Sequence, residues 1–197
     1  MSLRGAPSRG EGRRGNLLFE AIATPSLALL GTARNDDVRS GLRNPMIIAV
    51  ACDHAGFPLK PAILDAVRAA GHEPLDLGTD SEAPVDYPDN AVAVGRAIQE
   101  KRAARGILIC GSGVGAAVAA NKMRGIRAGV CHDLYSARQS VEHDDANVLS
   151  LGARVIDAKL AAALVQTFLA AQFSGEERHR RRLAKIKAIE DEQGREG

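Results

Sequence analysis

The sequence predicts an α/β fold, in which a three-layer, Rossmann-like parallel sheet of about five strands carries helices on both faces. Short apolar runs alternate along the chain with segments whose apolar residues recur at helical spacing, which is the order of a parallel sheet with right-handed crossovers. The run from Ile107 to Ile109 is apolar at every position, which indicates a strand covered on both faces. A glycine-rich turn follows it directly, and ligands in such sheets lie beyond the carboxyl ends of the strands.

The predicted elements follow one another regularly from Met46. Strands are predicted at 46–52, 73–77, 107–109, 125–131 and 147–151. Helices are predicted from about Pro58 to Gly71, after the polar loop at 86–89, from the glycine turn to Asn121, at 135–143, from Asp157 through Phe168, and at 176–190. Proline suits a first helical turn, glycine commonly ends a helix, and aspartate is a favoured N-cap.

The chain of 197 residues, 45% of them hydrophobic, is long enough for one good core, so we expect one domain with tails. Residues 1–45 hold seven arginines against four acidic residues; no apolar periodicity organises residues 1–16, and 17–30 could form a short helix at most. We therefore expect a disordered or poorly ordered extension there, and a domain at 46–192. An arginine-rich leader is also typical of an organelle transit peptide, which stays the alternative.

Charge and cysteine usage exclude several classes of protein. Beyond residue 45 the chain has 19 basic and 20 acidic residues, so a nucleic-acid partner lacks general electrostatic support. The three cysteines, Cys52, Cys110 and Cys131, include no C-x-x-C pair, which argues against a disulfide framework or a structural zinc site. No apolar run approaches the roughly 20 residues that a membrane helix needs. We expect a cytoplasmic protein with no membrane partner.

The glycine-rich turn is the strongest candidate site. Gly111, Ser112, Gly113 and Gly115 can direct backbone N–H groups inward at the start of a helix, where the helix dipole favours an anion or developing negative charge. Cys110 lies at the same place, and a thiol beside a helix N-terminus is partly thiolate, which makes it a candidate base or nucleophile. The alternative is an inert packing cysteine.

The last helix is strongly basic. Ser174 and Glu177 have the spacing of a capping box. Arg178 and Arg182 are four residues apart and share a helical face, which allows both to hold one phosphate. A solvated basic helix is the alternative, although Leu183 and other apolar positions indicate that the helix extends toward a partner subunit.

Nine motifs occur in one order along the chain. They are CDHAG at 52–56, DYPD at 86–89, GILICGSGVG at 106–115, AANK at 119–122, GIRAGVCHD at 125–133, YSAR at 135–138, EHDDANVL at 142–149, LGARVI at 151–156 and ERHRRRL at 177–183. Together they closely resemble ribose-5-phosphate isomerase type B, in the sugar-phosphate isomerase family shared with the galactose-6-phosphate isomerase subunits. The resemblance covers Met46 to about Glu192.

The resemblance implies a metal-free and cofactor-free interconversion of ribose 5-phosphate and ribulose 5-phosphate through an enediolate. It implies that Cys110 is the base, that His143 opens the sugar ring, and that Ser112 and the amides of the turn hold the oxyanion. The positions that it assigns to substrate binding are Asp53, His54, Tyr87, Gly111, Gly113, Val114, Gly115, Asp144, Arg154, Arg178 and Arg182. It also implies a homodimer or tetramer whose sites combine residues of two subunits.

One position departs from the family. Asp144 stands where the family usually has asparagine, and a carboxylate accepts hydrogen bonds but cannot donate them. Another aldose phosphate, such as allose or galactose 6-phosphate, therefore remains an alternative substrate, and a non-catalytic sugar-phosphate-binding protein remains an alternative function. From position alone, His132 and His143 cannot be ranked as site histidines. The glycine turn and Asp133 also partly match a dinucleotide-binding fingerprint, although the glycine spacing differs.

Overall fold

The computed structural model describes residues 44–193. The predicted N-terminal extension, residues 1–45, lies outside the described part except for its last two residues. Among the described residues, no helix combines the length and the apolarity needed to cross a bilayer.

A five-stranded, fully parallel sheet forms the centre of the molecule. Its strands are β1 (Ile47–Cys52), β2 (Glu73–Asp76), β3 (Arg105–Cys110), β4 (Ala128–Val130) and β5 (Val148–Gly152). They lie side by side in the order β2-β1-β3-β5-β4. The predicted α/β class and strand number are confirmed. The fourth strand is shorter than the predicted 125–131, because β4 lies at the edge of the sheet and pairs only with β5.

Helices cover both faces of the sheet. They are α1 (Lys60–Ala69, after a short 3-10 turn at Phe57–Leu59), α2 (Tyr87–Gln99), α3 (Val114–Ala120), α4 (Leu134–Asp144), α5 (Ala158–Ala170) and α6 (Glu177–Gln193). Buried residues of α1, α4 and α5 form one cluster with the sheet, and those of α2 and α3 form the other. The sheet is therefore the middle layer of three, as predicted.

The alternation of side chains along β3 decides which face each residue meets. Ile107 and Ile109 pack with α1, α4 and α5, whereas Leu108 and Cys110 pack with α2 and α3. Glycine allows the second face to close tightly, since a Cβ at Gly106 would lie 2.3 Å from a methyl carbon of Val94. Cys110 is therefore the last residue of β3, and it packs beneath α3, the helix that follows the glycine turn.

Helix ends agree with the sequence in one case and differ in two. The carboxylate of Asp157 accepts from the N–H of Leu160 at 2.7 Å, which is the predicted N-cap. The predicted loop at 86–89 is wrong in part, because residues 87–89 form the first turn of α2.

The predicted capping box is also wrong. Gly175 turns the chain at φ +66°, so Ser174 lies outside the helix; its Oγ is 3.4 Å from the N–H of Glu176 and 2.7 Å from Nδ1 of His179.

The last helix is anchored on its own chain at its far end. Asp191 pairs with Arg124 and Lys187, and the side chain of Glu190 accepts from the N–H of Gly125 at 2.5 Å. Ile186 and Ile189 remain 47% and 58% exposed, more than an apolar residue in a packed helix usually is. That this helix extends toward a partner subunit stays a prediction.

Candidate active site

The predicted site residues lie at opposite ends of the strands, one group at the carboxyl ends and the other at the amino ends. We call these two borders of the sheet its carboxyl edge and its amino edge. Cys110 pairs in register with Gly152, so both lie where the strands end. His143 ends α4 beside Asp145, whose carbonyl accepts from Arg127 just before β4 begins. The five residues of β5 run from one edge to the other, a rise of about 13 Å along the strand that separates the two groups within one chain.

The sulfur of Cys110 faces the glycine turn. The residue is only 4% exposed, and its Sγ accepts from the N–H of Gly113 at 3.1 Å. The sulfur of Cys110 therefore has a polar partner in the glycine turn and is turned toward it.

We call residues 111–115 the glycine cradle. Gly113 turns the chain with φ +81°, a conformation that disfavours a side chain, and its carbonyl accepts from Ser150 Oγ at 2.6 Å. The turn leads directly into α3, and the hydroxyl of Ser112 accepts from the N–H of Val114 at 3.3 Å. Ser112 and Val114 are exposed, so the start of α3 is open to a ligand.

The segment after β5 fixes the outer side of the cradle. The N–H of Ala153 donates to the carbonyl of Cys110 at 2.8 Å, and that of Arg154 donates to the carbonyl of Gly111 at 3.0 Å. A Cβ at Gly111 would lie 3.6 Å from carbon and nitrogen atoms of the Arg154 side chain. An exposed guanidinium therefore lies beside the cradle, where it can meet an anionic group of a ligand.

Tyr87 covers the inner side of the cradle. A Cβ at Gly115 would lie 2.8 Å from Tyr87 Cζ, so the ring packs directly on the glycine backbone. The residue is 41% exposed, which leaves an open edge of the ring toward solvent. Gly115 thus leaves the space that the ring of Tyr87 needs to reach the cradle.

Asp53 and His54 follow β1 at the same edge. Asp53 is buried, and its carboxylate accepts from the N–H of Gly56 at 2.8 Å, so the turn before α1 already uses one of its oxygens. His54 places Nδ1 within 3.2 Å of the carbonyl of Val85 and 3.3 Å of its N–H. These two contacts with Val85 hold the loop that leads into α2, whose first residue is Tyr87.

His132, which sequence reasoning could not rank, belongs to the cradle edge. Its Nε2 accepts at 3.0 Å from the N–H of Gly152, which is the register partner of Cys110. Asp133 accepts from the N–H and hydroxyl of Ser136 at 2.8 and 2.7 Å and so caps α4. The dinucleotide interpretation loses support, because its acidic residue has a capping role.

The other edge carries what we call the basic cluster: His143, His179, Arg178 and Arg182. The rings of His143 and His179 are 4.2 Å apart between centroids and tilted by 30°. His179 is 1% exposed, and burial first, then the neighbouring His143 and Arg178, lower its pKa. Sequence reasoning missed His179, because in the sequence it is one polar residue of a basic helix. Its contact with His143 of α4 is visible only in the folded structure.

The remaining members of that edge are exposed. Arg178 pairs with Glu176 at 2.9 Å, while Arg182 lies one turn further along α6. Asp144 lines a cavity of about 1090 Å³ beside α6, and its carbonyl accepts from Arg127 at 3.1 Å. Within residues 44–193 its carboxylate has no hydrogen bond or ion pair, so no contact among these residues explains the acidic side chain at this position.

A family model and two relatives that match this chain are all isomerases of sugars or sugar phosphates. A model of the ribose/galactose isomerase family matches residues 48–186. Ribose-5-phosphate isomerase B of Escherichia coli is 47% identical over 143 residues, which are 73% of this chain and 95% of that protein. A D-erythrulose-4-phosphate isomerase of Pectobacterium atrosepticum is 42% identical over 130 residues, 65% of this chain and 85% of the relative.

A solved structure agrees with these sequence matches. The chain is similar to ribose-5-phosphate isomerase B of Clostridium thermocellum with a TM-score of 0.73 and 46% identity, covering 75% of this chain and 99% of that one. The likeness therefore extends over nearly the whole of that structure.

The contrast among the three cysteines predicts selective alkylation. Burial raises the pKa of Cys52 to about 11 and also raises that of Cys131, whereas the sulfur of Cys110 faces an amide donor. We expect iodoacetamide near neutral pH to modify Cys110 first, measured by peptide mass spectrometry at several times. Unfolded protein, in which the three thiols react alike, is the control. Modification of Cys131 as early as Cys110 would contradict the geometry.

Proposed function

The chain belongs to the ribose/galactose isomerase family, and on that premise we propose that it interconverts ribose 5-phosphate and ribulose 5-phosphate. Relatives at 46–47% identity carry the name ribose-5-phosphate isomerase B, which makes an aldose–ketose isomerase the best-supported class of enzyme. The observation that carries the proposal is the sulfur of Cys110, 3.1 Å from the N–H of Gly113 at the mouth of the glycine cradle.

In this proposal Cys110 is the base and the cradle stabilises the intermediate. The thiolate removes the proton from C2 of the open-chain aldose and returns it to C1 of the enediolate, while a second proton passes from O2 to O1, which yields the ketose. The developing oxyanion is held by Ser112 and the amides of the cradle. Donors aimed at a developing charge commonly contribute about 3 to 4 kcal/mol each to the transition state.

We further propose that each site is completed by a second copy of the chain. Cys110 and His143 lie at opposite edges of the sheet, separated by the rise of about 13 Å along β5, so one protomer cannot apply both to a single five-carbon sugar. In a homodimer the basic cluster of the partner meets the cradle, where its arginines hold the phosphate and its histidine opens the furanose. A tetramer repeats the same pairing.

The substrate-binding surface follows from this arrangement. Asp53, His54, Tyr87 and Arg154 belong to the cradle edge of one copy, whereas Asp144, Arg178 and Arg182 come from the partner. Residues 46–192 supply all of these positions, so we assign the reaction to that domain. Three free thiols suit a reducing cytoplasm, where we place the reaction.

A second substrate deserves a direct test because of Asp144. The exposed carboxylate can accept hydroxyl groups but cannot donate, so the contact that an asparagine would make differs here. A related isomerase of Pectobacterium acts, by its name, on a four-carbon sugar phosphate. The alternatives are another aldose phosphate, such as allose or galactose 6-phosphate, or a site that binds sugar phosphates without turnover.

A panel of aldose phosphates tests the proposal. Ribose 5-phosphate, erythrose 4-phosphate, allose 6-phosphate and galactose 6-phosphate are each assayed for ketose formation with EDTA present. Ribose 5-phosphate is expected to have the largest kcat/KM, undiminished by EDTA. Turnover of a different member alone would reassign the substrate, and binding with no turnover of any member would remove the enzymatic proposal.

Replacement of the proposed base tests the role of Cys110 directly. Cys110→Ala should lower kcat for ribose 5-phosphate by at least roughly 100-fold, the lower range for a general base, with little change in the unfolding midpoint. The readouts are steady-state kinetics and thermal unfolding. Cys131→Ala, a matched change at another buried cysteine, should keep its activity. A Cys110→Ala enzyme that retained most of its kcat would remove this residue as the base.

Replacement of the two arginines tests their proposed contact with the phosphate. Arg178→Gln with Arg182→Gln should raise KM for ribose 5-phosphate by roughly 10-fold or more, since a charge-assisted bond contributes about 1.5 to 3 kcal/mol. KM for unphosphorylated ribose should change little. The matched control is Arg181→Gln with Lys185→Gln, an exposed pair of the same spacing on the same helix. Equal changes in KM for the two sugars would refute the phosphate role.

A further inference from the structure

His143 has two neighbours that the proposed function does not use. Gln139 places its Nε2 3.0 Å from Nδ1 of the histidine, and His179 stacks on the ring at 4.2 Å. Gln139 and His143 lie four residues apart on α4, so their side chains meet on one helical face. Among the described residues, Nε2 of His143 makes no hydrogen bond and is the nitrogen left for a ligand.

We propose that Gln139 is a positioning residue that holds neutral His143 in the Nε2–H tautomer, so that Nε2–H donates a hydrogen bond to the ring oxygen of the bound sugar as the ring opens. This inference rests on the proposed role of His143 in ring opening. A glutamine amide nitrogen only donates, so Nδ1 must accept and carries no proton. In neutral imidazole the single proton is then on Nε2.

His179 holds the ring of His143 in place by its face and does not compete with Gln139 for Nδ1 of His143. Its Nδ1 is 2.7 Å from Ser174 Oγ, so it is fixed by its own partner and contacts His143 through the ring face. Burial, reinforced by His143 and Arg178, lowers the pKa of His179, which keeps this ring neutral near pH 7. A neutral ring packed on His143 restricts its rotation, and the bond to Gln139 then sets which nitrogen points outward.

The chemistry of ring opening requires that orientation. As the C1–O4 bond breaks, the bonding pair stays on O4, and the N–H of Nε2 stabilises the charge that develops there by donating a hydrogen bond. A water molecule gives O4 its proton and takes the proton of the C1 hydroxyl, whose oxygen becomes the aldehyde oxygen, so atoms and charge balance. The imidazole stays neutral throughout, because loss of its only N–H proton would leave an imidazolate. The opposite tautomer would present a lone pair to O4 and could not donate this hydrogen bond.

Two substitutions separate the tautomer from simple packing. Gln139→Leu removes the donor at similar volume, and Gln139→Glu replaces it with an acceptor of the same shape, which favours a proton on Nδ1. Gln166→Leu, the same change on the exposed face of α5, is the matched control. Circular dichroism and thermal unfolding establish that each variant is folded before it is compared.

Long-range ¹H–¹⁵N NMR of the histidine rings reads the tautomer directly. The spectrum of the full-length protein is recorded at about pH 8, above the ordinary titration range of histidine, and His143→Asn identifies the signal. Wild-type His143 is expected to show protonated Nε2 and bare Nδ1, Gln139→Leu a mixture, and Gln139→Glu the reverse. A wild-type signal with the proton on Nδ1 overturns the proposal, whatever the enzyme turns over.

Kinetics on two substrates test the consequence. Gln139→Leu should lower kcat for ribose 5-phosphate by roughly 3- to 10-fold, the range of one neutral hydrogen bond, and Gln139→Glu by roughly 10- to 100-fold. Ribulose 5-phosphate is open-chain, because its C5 oxygen is esterified. Exchange of its C1 hydrogen with D₂O should therefore stay within about twofold of wild type, as should KM, since ring opening is not involved.

The outcomes distinguish the two layers of the argument. Wild-type kinetics for both Gln139 variants on ribose 5-phosphate would overturn the positioning role and leave the proposed isomerase intact. Equal losses in ring-opening turnover and in hydrogen exchange would also overturn it, because the defect would then lie in enolisation or folding. A wild-type enzyme that acts on neither sugar would refute the proposed function, while the NMR spectrum would still decide the tautomer.

Discussion

The direction of the strands is the constraint on which the rest of this structure depends. In a parallel sheet every strand ends at one edge, and every connecting helix returns to the other. Cys110 ends β3 and therefore lies with the glycine cradle, whereas His143 ends α4 and lies where β4 and β5 begin. The separation follows from topology and not from any flexible loop. It makes the association of two copies part of the chemistry that we propose.

The cradle keeps its shape through close backbone packing. A Cβ at Gly56 would lie 2.3 Å from the carbonyl oxygen of Ile109, and one at Gly152 would lie 2.7 Å from backbone atoms of Ser112. Neither position has space for a side chain, so the ends of β1, β3 and β5 approach as closely as backbone allows. The N–H of Gly113 is thereby held against the sulfur of Cys110. Preorganisation of this kind is what a developing oxyanion requires.

Local patterns in the sequence predict much of the fold, together with the glycine turn of the candidate site. The apolar run of β3, the glycine turn and Asp157 each act over a few residues, and each has the predicted structure. The place of β5 between β3 and β4 depends on distant pairings, which periodicity does not encode. His179 and Gln139 were missed for a related reason. Their significance comes from contacts with His143, in one case across two helices, and no single segment carries that signal.

The central claim is that the cysteine of one copy and the histidine of another form one site. Chains that carry Cys110→Ala and chains that carry His143→Asn, with different affinity tags, are co-expressed. The unfractionated mixture and the purified dimers that carry both tags are each assayed for ribose 5-phosphate turnover. Each variant alone should be nearly inactive. Random mixing into dimers should restore about one quarter of wild-type activity, since half of the dimers then hold one intact site of two. Mixed dimers with no activity above that of the parents would contradict a shared site.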